Sequence, residues 1–236
     1  MNSRILSLAA AGLFLSTSTA QASEWTANIA ASNNYIWRGL TQSVNEVAVS
    51  GGIDFTADNG FYAGTWASNV SYAADDVYSY EHDLYAGFSG EAGGISYDLG
   101  YLYFNYDEEA EFDFGEVYGS IGFNAFTLGI NILANTEAEE GLGQDFGFGK
   151  TTYTYADYAT EIGNGVELGL HVGFHQGDFS EAFNGVPDDY ADYNVSLSKD
   201  GFSFMITSTD LDDAGPDALD NDEVKFVVGY ALDFSL

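Results

Sequence analysis

The stretch VKFVVGYALDF, residues 224–234, decides the fold of this chain because its residues alternate in character. In an extended strand, successive side chains point to opposite faces. One face carries Val224, Phe226, Val228, Tyr230, Leu232 and Phe234, and the other carries Lys225, Gly229, Asp233 and Ser235. Alternation over about ten residues is typical of a transmembrane barrel strand, with its apolar face toward lipid and its polar face toward the lumen.

The same alternation recurs in twelve segments. Their approximate spans are 25–37, 47–56, 61–69, 79–88, 95–104, 115–123, 126–134, 151–161, 166–175, 190–198, 202–209 and 224–236. Two more apolar faces are Ile95, Tyr97, Leu99, Tyr101 and Tyr103, and Val166, Leu168, Leu170, Val172 and Phe174.

Aromatic rings near strand ends suit a membrane interface, where one side is wet and the other apolar. Those predicted to lie there are Trp25, Tyr35, Trp37, Tyr80, Tyr103 and Tyr230.

The connections between these segments alternate strictly between short and long. The short ones are 57–60, 89–94, 124–125, 163–165 and 199–201, and most contain the Gly or Asn that a tight hairpin needs. The long, acidic ones are 38–46, 70–78, 105–114, 135–150, 176–189 and 210–223. Short periplasmic turns opposite long extracellular loops, with an even number of strands, are the organisation of bacterial outer-membrane barrels. A soluble β-sandwich also alternates, but it does not need six long loops on one side.

Composition and the N-terminus indicate an exported β protein. The chain has 28 Gly, 17 Tyr and 18 Phe but no Cys, which fits neither a disulfide-rich domain nor a disordered chain. Arg4, an apolar run at 5–15 and the Ala20-Gln21-Ala22 motif predict a signal peptide, residues 1–22, cleaved after Ala22. Residues 23–236 then form one barrel domain. The net charge of -32 argues against binding to nucleic acid.

One motif near the N-terminus is more specific than the alternation. Residues 32–43, SNNYIWRGLTQS, resemble the N-terminal signature of the TorF-like porin family, and the residues that carry the resemblance are Asn34, Tyr35, Trp37, Arg38, Gly39 and Gln42. Residues 60–69 are similar to the family's second block, and residues 81–87 with 97–101 to its central hairpin. The resemblance implies an exported outer-membrane barrel with a pore. The chain departs from the usual pattern by ending on Leu236 rather than on an aromatic residue.

The face assignments predict a lumen lined by acids. The inward charged residues are Arg38, Asp54, Glu81, Asp83, Asp98, Glu116, Asp157, Glu161, Glu167, Asp192, Lys225 and Asp233, and the histidines on the same face are His171 and His175. Ten acids against two bases favour cations and oppose acidic sugars or phosphates. Because so few bases cannot neutralise the acids, their repulsion implies water, bound cations or shifted pKa values inside.

The sequence predicts no catalytic residue and no structural metal. His171 and His175 lie about 13 Å apart on one strand face, too far to share a zinc ion. Neither Gly-x-Ser-x-Gly nor His-Glu-x-x-His occurs. Acids cluster in two loops, at Asp107, Glu108, Glu109, Glu111 and Asp113 and at Glu137, Glu139 and Glu140. Calcium or magnesium bound loosely there would bridge to lipopolysaccharide, and the alternative is a solvated, self-repelling surface.

These observations together predict an outer-membrane porin that passes small cations or neutral solutes by diffusion, without a cofactor. Its expected partners are outer-membrane lipid, lipopolysaccharide, the barrel assembly machinery and the solutes themselves. The pattern leaves monomer and trimer open. Two alternatives remain: a structural or adhesive barrel whose lumen does not conduct, and a barrel hydrolase that uses a histidine near the rim.

Overall fold

The computed structural model describes residues 23–73, 76–212 and 219–236. In chain order the strands of these residues are β1 (Glu24–Ser32), β2 (Ile36–Trp37), β3 (Leu40–Thr41), β4 (Ala48–Thr56), β5 (Phe61–Asn69), β6 (Tyr80–Ala92), β7 (Ile95–Asn105), β8 (Phe114–Phe123), β9 (Phe126–Thr136), β10 (Thr152–Gly163), β11 (Val166–Gln176), β12 (Asp189–Lys199), β13 (Phe202–Thr209) and β14 (Lys225–Ser235). Two long connections contain short helices, a 3-10 helix (Glu108–Ala110) and α1 (Asp178–Asn184). No helix in this part of the chain has the length and apolar character to cross a membrane. The predicted signal peptide lies outside the described residues.

Twelve of the described strands close into a single antiparallel barrel. β1 pairs with β14 from Thr26 opposite Ser235 to Ser32 opposite Gly229, and with β4 on its other side. From β4 to β14, each strand pairs with the next one along the chain. A closed wall has no edge strand, so the backbone groups of neighbouring strands satisfy one another. The predicted all-β, up-and-down antiparallel barrel is confirmed.

Short turns join the strands at one end of the barrel, which we call the turn end, and long connections join them at the loop end. Gly93 with Gly94, Asn164 with Gly165, and Asp200 with Gly201 all have positive φ. Two successive positive φ values define the type I′ turn, whose twist matches a two-stranded hairpin. The turn predicted at 89–94 is shorter than expected, because β6 continues to Ala92 and β7 begins at Ile95.

The outer face of the wall is apolar on all sides. The residues predicted to face outward do so; Leu99, Val172 and Phe226, for example, are exposed. Trp25, Tyr80 and Tyr230 are also exposed on this face. A monomeric soluble protein rarely exposes an apolar surface of this extent, whereas a barrel in lipid requires one.

The predicted first strand, 25–37, is wrong in its second half. β1 ends at Ser32, and the chain then leaves the wall and turns inward through β2 and β3 before β4 begins. Tyr35 and Trp37 are therefore not interfacial residues, since they are 7% and 5% exposed inside the barrel. The connection predicted as an external loop at 38–46 is also wrong, because residues 34–43 are all buried. We call residues 33–47 the lumen hairpin.

Candidate functional site

The lumen hairpin is built around a tight turn at Arg38 and Gly39. Both residues have positive φ, 49° and 82°, and Trp37 pairs with Leu40 across the turn. This is the type I′ geometry, in which a glycine is unstrained but an arginine is uncommon. An arginine held in this region indicates that its side chain has a role at the tip.

The remaining residues of the sequence motif hold the hairpin together. The backbone N–H of Gln42 donates to the carbonyl of Tyr35 at 2.7 Å, and the Thr41 hydroxyl donates to Asn34 Oδ1 at 2.6 Å. Tyr72, from the next long connection, donates to Gln42 Oε1 at 2.6 Å. The motif that suggested a family therefore encodes a folded insert in the lumen rather than a length of wall.

The hairpin crosses the whole lumen. It leaves the wall between β1 and β4, whereas the Arg38 side chain reaches Glu116 on β8, Tyr153 on β10 and His175 on β11. In the strand order of the closed barrel, β8 to β11 lie on the side opposite β1 and β4. The insert therefore divides the interior at the level of its tip.

Arg38 occupies a fully enclosed cradle. Its Nη2 atom lies 2.5 Å from Glu116 Oε2, and Asn131 donates to the same oxygen at 3.0 Å. The guanidinium carbon lies 4.1 Å from the centre of the Trp37 ring and 4.4 Å from that of Tyr153. An ion pair and two aromatic faces thus hold one cation in a buried site.

His175 completes this cradle as a neutral acceptor. Its Nε2 atom lies 3.3 Å from Arg38 Nη1. A guanidinium can only donate, so Nε2 must accept and the ring proton must be on Nδ1. The Ser180 hydroxyl lies 3.2 Å from Nδ1 and is able to accept a hydrogen bond from the Nδ1 proton. The contact with Arg38 thus fixes the tautomer of His175.

Gly39 allows the hairpin tip to lie close against β12 and β13. A Cβ atom at this position would lie 2.6 Å from Asp192 Cβ and 2.7 Å from Thr209 Cγ2. Both distances are shorter than any carbon–carbon contact in a packed protein, so a side chain here must displace the tip or the wall.

We expect Gly39→Ala to undock the hairpin tip, and Gly185→Ala to leave it in place. Gly185 also has positive φ, 65°, but nothing lies within 4 Å of a Cβ added there. Both variants therefore incur a backbone strain of about 1 kcal/mol, whereas only Gly39→Ala also incurs a clash. The measurement is acrylamide quenching of Trp37 in a Trp25→Phe, Trp66→Phe background, which removes the other two tryptophans. Equal quenching in the two glycine variants would contradict the contact.

Aromatic side chains fill the loop end above the hairpin. The Trp37 ring packs on Phe104, Phe114 and Phe183 with centroid separations of 5.9, 6.3 and 5.9 Å. Phe183 lies on α1, together with Phe179, which packs on Phe114 at 5.0 Å. The short helix thus brings two rings onto the cluster and covers it from the loop side.

Burial of the inward side chains changes along the barrel axis. On β6, Glu81 and Asp83 near the loop end are buried, while Glu91 near the turn end is exposed. On β10, Tyr153 is buried and Glu161 is exposed. The lumen is therefore filled at the loop end and accessible at the turn end.

The structure brings the predicted lining residues together on the inner face of the wall. The wall residues predicted to line the lumen are Asp54, Glu81, Asp83, Asp98, Glu116, Asp157, Glu161, Glu167, His171, His175, Asp192, Lys225 and Asp233, and strand parity places each of them inward. Arg38 also lies in the lumen, but on the hairpin rather than on the wall. The inward placement agrees with the predicted face assignments, apart from the hairpin position of Arg38, and the role of these residues in lining a pore stays a prediction.

Tyrosines are the main partners of the inward acids, and among these partners only Tyr35 had a predicted place, at the interface. Tyr35 and Tyr106 donate to the two oxygens of Glu81 at 2.7 and 2.8 Å. The other pairs are Tyr62 with Asp98, Tyr85 with Asp54 and Tyr153 with Asp192. A phenol satisfies a carboxylate without adding positive charge, so the lining stays acidic.

A signal for these tyrosines was present in the sequence. Tyr85 follows Asp83 by two residues, Tyr118 follows Glu116 by two, and Tyr155 precedes Asp157 by two. Residues two apart on a strand share a face, so a tyrosine at this spacing from an inward acid also points inward.

The inward bases are already engaged. Lys225 Nζ donates to the carbonyl of Leu219 at 2.8 Å and to that of Asp220, so it holds a long connection in place. His171 lies between two acids, with Nδ1 at 2.6 Å from Asp157 and Nε2 at 3.2 Å from Asp192. When His171 is protonated, its positive charge offsets the negative charge of one of these acids. Among the described residues, ten inward acids still outnumber the three inward bases Arg38, Lys225 and His171.

Asp83 differs from the other inward acids. It is 1% exposed, and within the described part of the chain its Oδ1 atom has no hydrogen-bond partner. It lies directly opposite Trp66 on β5 and Phe104 on β7. A buried carboxylate oxygen without a donor destabilises the packing around it.

The acidic loops anchor their own backbone. Asp107 accepts hydrogen bonds from the backbone N–H of Ser79 and of Tyr80, and Asp113 accepts one from the backbone N–H of Tyr106. Burial alone would raise the pKa of Asp107, but these donors lower it below its usual range. Burial raises the pKa of Tyr78, in the neighbouring connection, to about 12. The acid clusters therefore have a structural role as well as a surface charge.

One serine lies beside a histidine but does not form a hydrolase triad. Ser180 Oγ is 3.2 Å from His175 Nδ1, yet the other ring nitrogen faces Arg38, where a triad has a carboxylate. Ser180 is also fully buried beneath α1. No substrate reaches its hydroxyl in this conformation.

Comparison with known proteins agrees with the fold. The family model described as "Bacterial protein of unknown function (Gcw_chp)" matches residues 16–229. A search of curated proteins found no match. Among solved structures, the chain is similar to the KdgM porin, with 9% identity over 87% of this chain and 97% of that one, at a TM-score of 0.55.

Two further structures are similar. The KdgM porin in complex with disordered oligogalacturonate has 9% identity over 90% of this chain and 99% of that one, with a TM-score of 0.54. The outer membrane protein OprD from Pseudomonas aeruginosa has 12% identity over 90% of this chain and 66% of that one, with a TM-score of 0.41. At such identities, the likeness to KdgM shows a shared barrel fold.

Proposed function

The chain belongs to the Gcw_chp family of bacterial proteins, and we propose that it is an outer-membrane channel for the passive diffusion of small cations or neutral solutes. A closed barrel with an apolar outer face is one of the two structures able to span a lipid bilayer. The fold shared with KdgM and the TorF-like resemblance of residues 32–43 support the same assignment. In this proposal the turn end faces the periplasm and the loop end faces outward.

The observation that carries the preference for cations is the excess of acids on the inner wall. Their hydrogen-bond partners are largely tyrosines, which leave the charge in place, and the inward Lys225 is bound by carbonyls. Rings of carboxylates concentrate cations in channels and repel anions. KdgM has been solved with oligogalacturonate, an acidic sugar polymer, and we propose that this acidic lumen rejects that class of solute.

The lumen hairpin limits the size of the solute. Because it reaches from β1 to the opposite wall, only narrow passages on either side of it would remain. We propose that small solutes pass beside the hairpin or during its displacement. The packed loop end favours one alternative, a structural barrel whose lumen does not conduct. The buried Ser180 and the Arg38 next to His175 do not support the hydrolase alternative.

The expected result in a planar bilayer with a salt gradient is a reversal potential of cation-selective sign. The lumen wall lies within a Debye length of a permeating ion, about 8 Å at physiological salt, so its charge is poorly screened. Replacing Asp54→Asn, Asp98→Asn and Glu167→Gln together should reduce the preference. These three acids lie on the inner wall away from the Arg38 cradle.

The matched control neutralises three acids of the long connections, Glu108→Gln, Glu109→Gln and Glu139→Gln. It changes the net charge equally, yet it should alter the reversal potential far less. Anion selectivity of the unmodified protein would exclude the proposal. A bilayer without channels, from a protein whose gel mobility shifts on heating as a folded barrel's does, would favour the structural barrel.

We propose that lipid contacts the apolar outer face, that the barrel assembly machinery inserts the chain after cleavage at Ala22, and that the acidic loops bind divalent cations loosely beside lipopolysaccharide. Cysteines placed at Glu109 and Glu140 should then react with an impermeant maleimide on intact cells. Labelling only at Asp58 or Asp200, in the short turns, would mean that the orientation is inverted.

A further inference from the structure

We propose that the Arg38 cradle is a recognition site for guanidinium-bearing solutes, and that Arg38 occupies it as an internal ligand. The cradle presents every group that such a cation needs: the Glu116 carboxylate, the Tyr153 ring and the acceptor nitrogen of His175. The presence of Arg38 demonstrates that a guanidinium fits. This inference rests on the proposed channel function for its physiological meaning, but not for the existence of the site.

The chemistry of the cradle selects a planar, donating cation. Glu116 accepts a hydrogen bond from Nη2, and His175 Nε2 accepts one from Nη1. Two nitrogens of one guanidinium are therefore bound by different acceptors. The Trp37 and Tyr153 rings lie over the guanidinium at 4.1 and 4.4 Å. A planar, delocalised ion stacks between rings and presents several fixed donors, whereas a sodium ion does neither.

The cradle does not depend on the Arg38 side chain for its assembly. Tyr190 donates to the backbone carbonyl of residue 38 at 3.0 Å, and Tyr35 donates to Glu81 at 2.7 Å. The backbone N–H of Thr41 donates to Asn221 Oδ1 at 3.1 Å. These bonds hold the hairpin on three parts of the barrel, so removal of the guanidinium alone should leave an empty, shaped site.

Attachment to the hairpin gives Arg38 an advantage over a free solute. A group on a short tether acts at an effective concentration of about millimolar or more. A solute with the same contacts must exceed that level to replace it, and the replacement would release the tip from Glu116. Guanidinium solutes would then be the class that binds in the lumen and displaces the Arg38 side chain from Glu116.

The test uses Arg38→Ala and the probe methylguanidinium chloride. The expected result by titration calorimetry of the folded, detergent-solubilised barrel is binding with a dissociation constant on the order of millimolar, the range open to a ligand of five heavy atoms. Binding should be at least about tenfold weaker in the unmodified protein, where Arg38 competes. It should be lost in Arg38→Ala with Glu116→Gln, which lacks the carboxylate.

Matched controls separate this site from general attraction to an acidic protein. Lys150→Ala also removes one cation, but from an exposed loop, and should not create binding. Sodium and tetramethylammonium, which lack planar donors, should not bind Arg38→Ala at the same concentration. Equal binding of methylguanidinium to all variants, or none to a folded Arg38→Ala barrel, would overturn the inference.

A bilayer recording distinguishes failure of this inference from failure of the proposed function. If Arg38→Ala forms channels that methylguanidinium does not block, the channel stands and the recognition site does not. If calorimetry detects the site while every variant is silent in the bilayer, the recognition site stands and the channel does not.

Discussion

Replacing residues 34–45 by a two-residue Gly-Ser connection is expected to raise the single-channel conductance several-fold. A wall of twelve strands, spaced about 4.8 Å and tilted about 40°, has a backbone diameter of roughly 24 Å, much of which the hairpin occupies. Ser32 and Ala48 are directly opposed partners in β1 and β4, so a short turn can join these strands without disturbing the wall.

Removal of the hairpin should also loosen the aromatic cluster at the loop end. Trp37 packs on Phe104 and Phe114 of the wall and on Phe183 of α1, and so adds to the direct contacts of α1 with the wall. Without it, α1 loses a central packing partner, and the cover over the lumen weakens. The measurement is single-channel recording of both forms in symmetric salt, after each has shown heat-modifiable gel mobility.

A deletion in a long external connection of similar length is the appropriate control. Shortening residues 139–144, which are exposed or half-buried, leaves the aromatic cluster in place and should leave conductance nearly unchanged. If the hairpin deletion conducted no better than the unmodified protein, the hairpin would not be the constriction. The remaining barrier would then be the aromatic cluster itself.

The barrel was predictable from the sequence because alternation and turn chemistry are local. A one-residue shift of register exchanges the two faces of a strand. Once Phe226, Val228 and Tyr230 face lipid, the residues between them must therefore face the lumen. Gly and Asn at the short turns marked where strands ended. Both signals lie within a few residues of the feature that they predict.

The lumen hairpin was not predictable by the same reasoning. Alternation continues past Ser32 through Tyr35 and Trp37, and a period of two does not reveal whether an extended segment lies in the wall or inside it. What places these residues inside is contact with distant parts of the chain, such as Glu81, Glu116 and Asn221. The sequence showed one sign of this, since Trp37, Arg38 and Leu40 are unusual in a solvated loop.

The Arg38–Glu116 pair should be strongly coupled in stability. Replacing Glu116→Leu alone leaves the Arg38 guanidinium, on a side chain that is 6% exposed, without its carboxylate, and removal of one partner of a buried pair typically costs about 3–5 kcal/mol. Arg38→Met alone leaves the buried carboxylate with Asn131 as its remaining partner and should cost a similar amount. The double variant replaces the pair by apolar groups of similar size, which is often nearly neutral.

The expected outcome is therefore a double variant more stable than either single one, with a coupling free energy of at least about 2 kcal/mol. Urea unfolding in lipid vesicles measures it without adding a guanidinium denaturant that would compete for the cradle. The exposed pair Lys150–Asp145 serves as the reference, since its partners lie 2.9 Å apart on a loop and a surface pair of this kind contributes about 0–1 kcal/mol. Additive effects at Arg38 and Glu116, as small as those at the exposed pair, would mean that the ion pair does not hold the hairpin tip. The tip would then depend on the packing of Gly39 against β12 and β13 and on the hydrogen bond from Tyr190 to the carbonyl of residue 38.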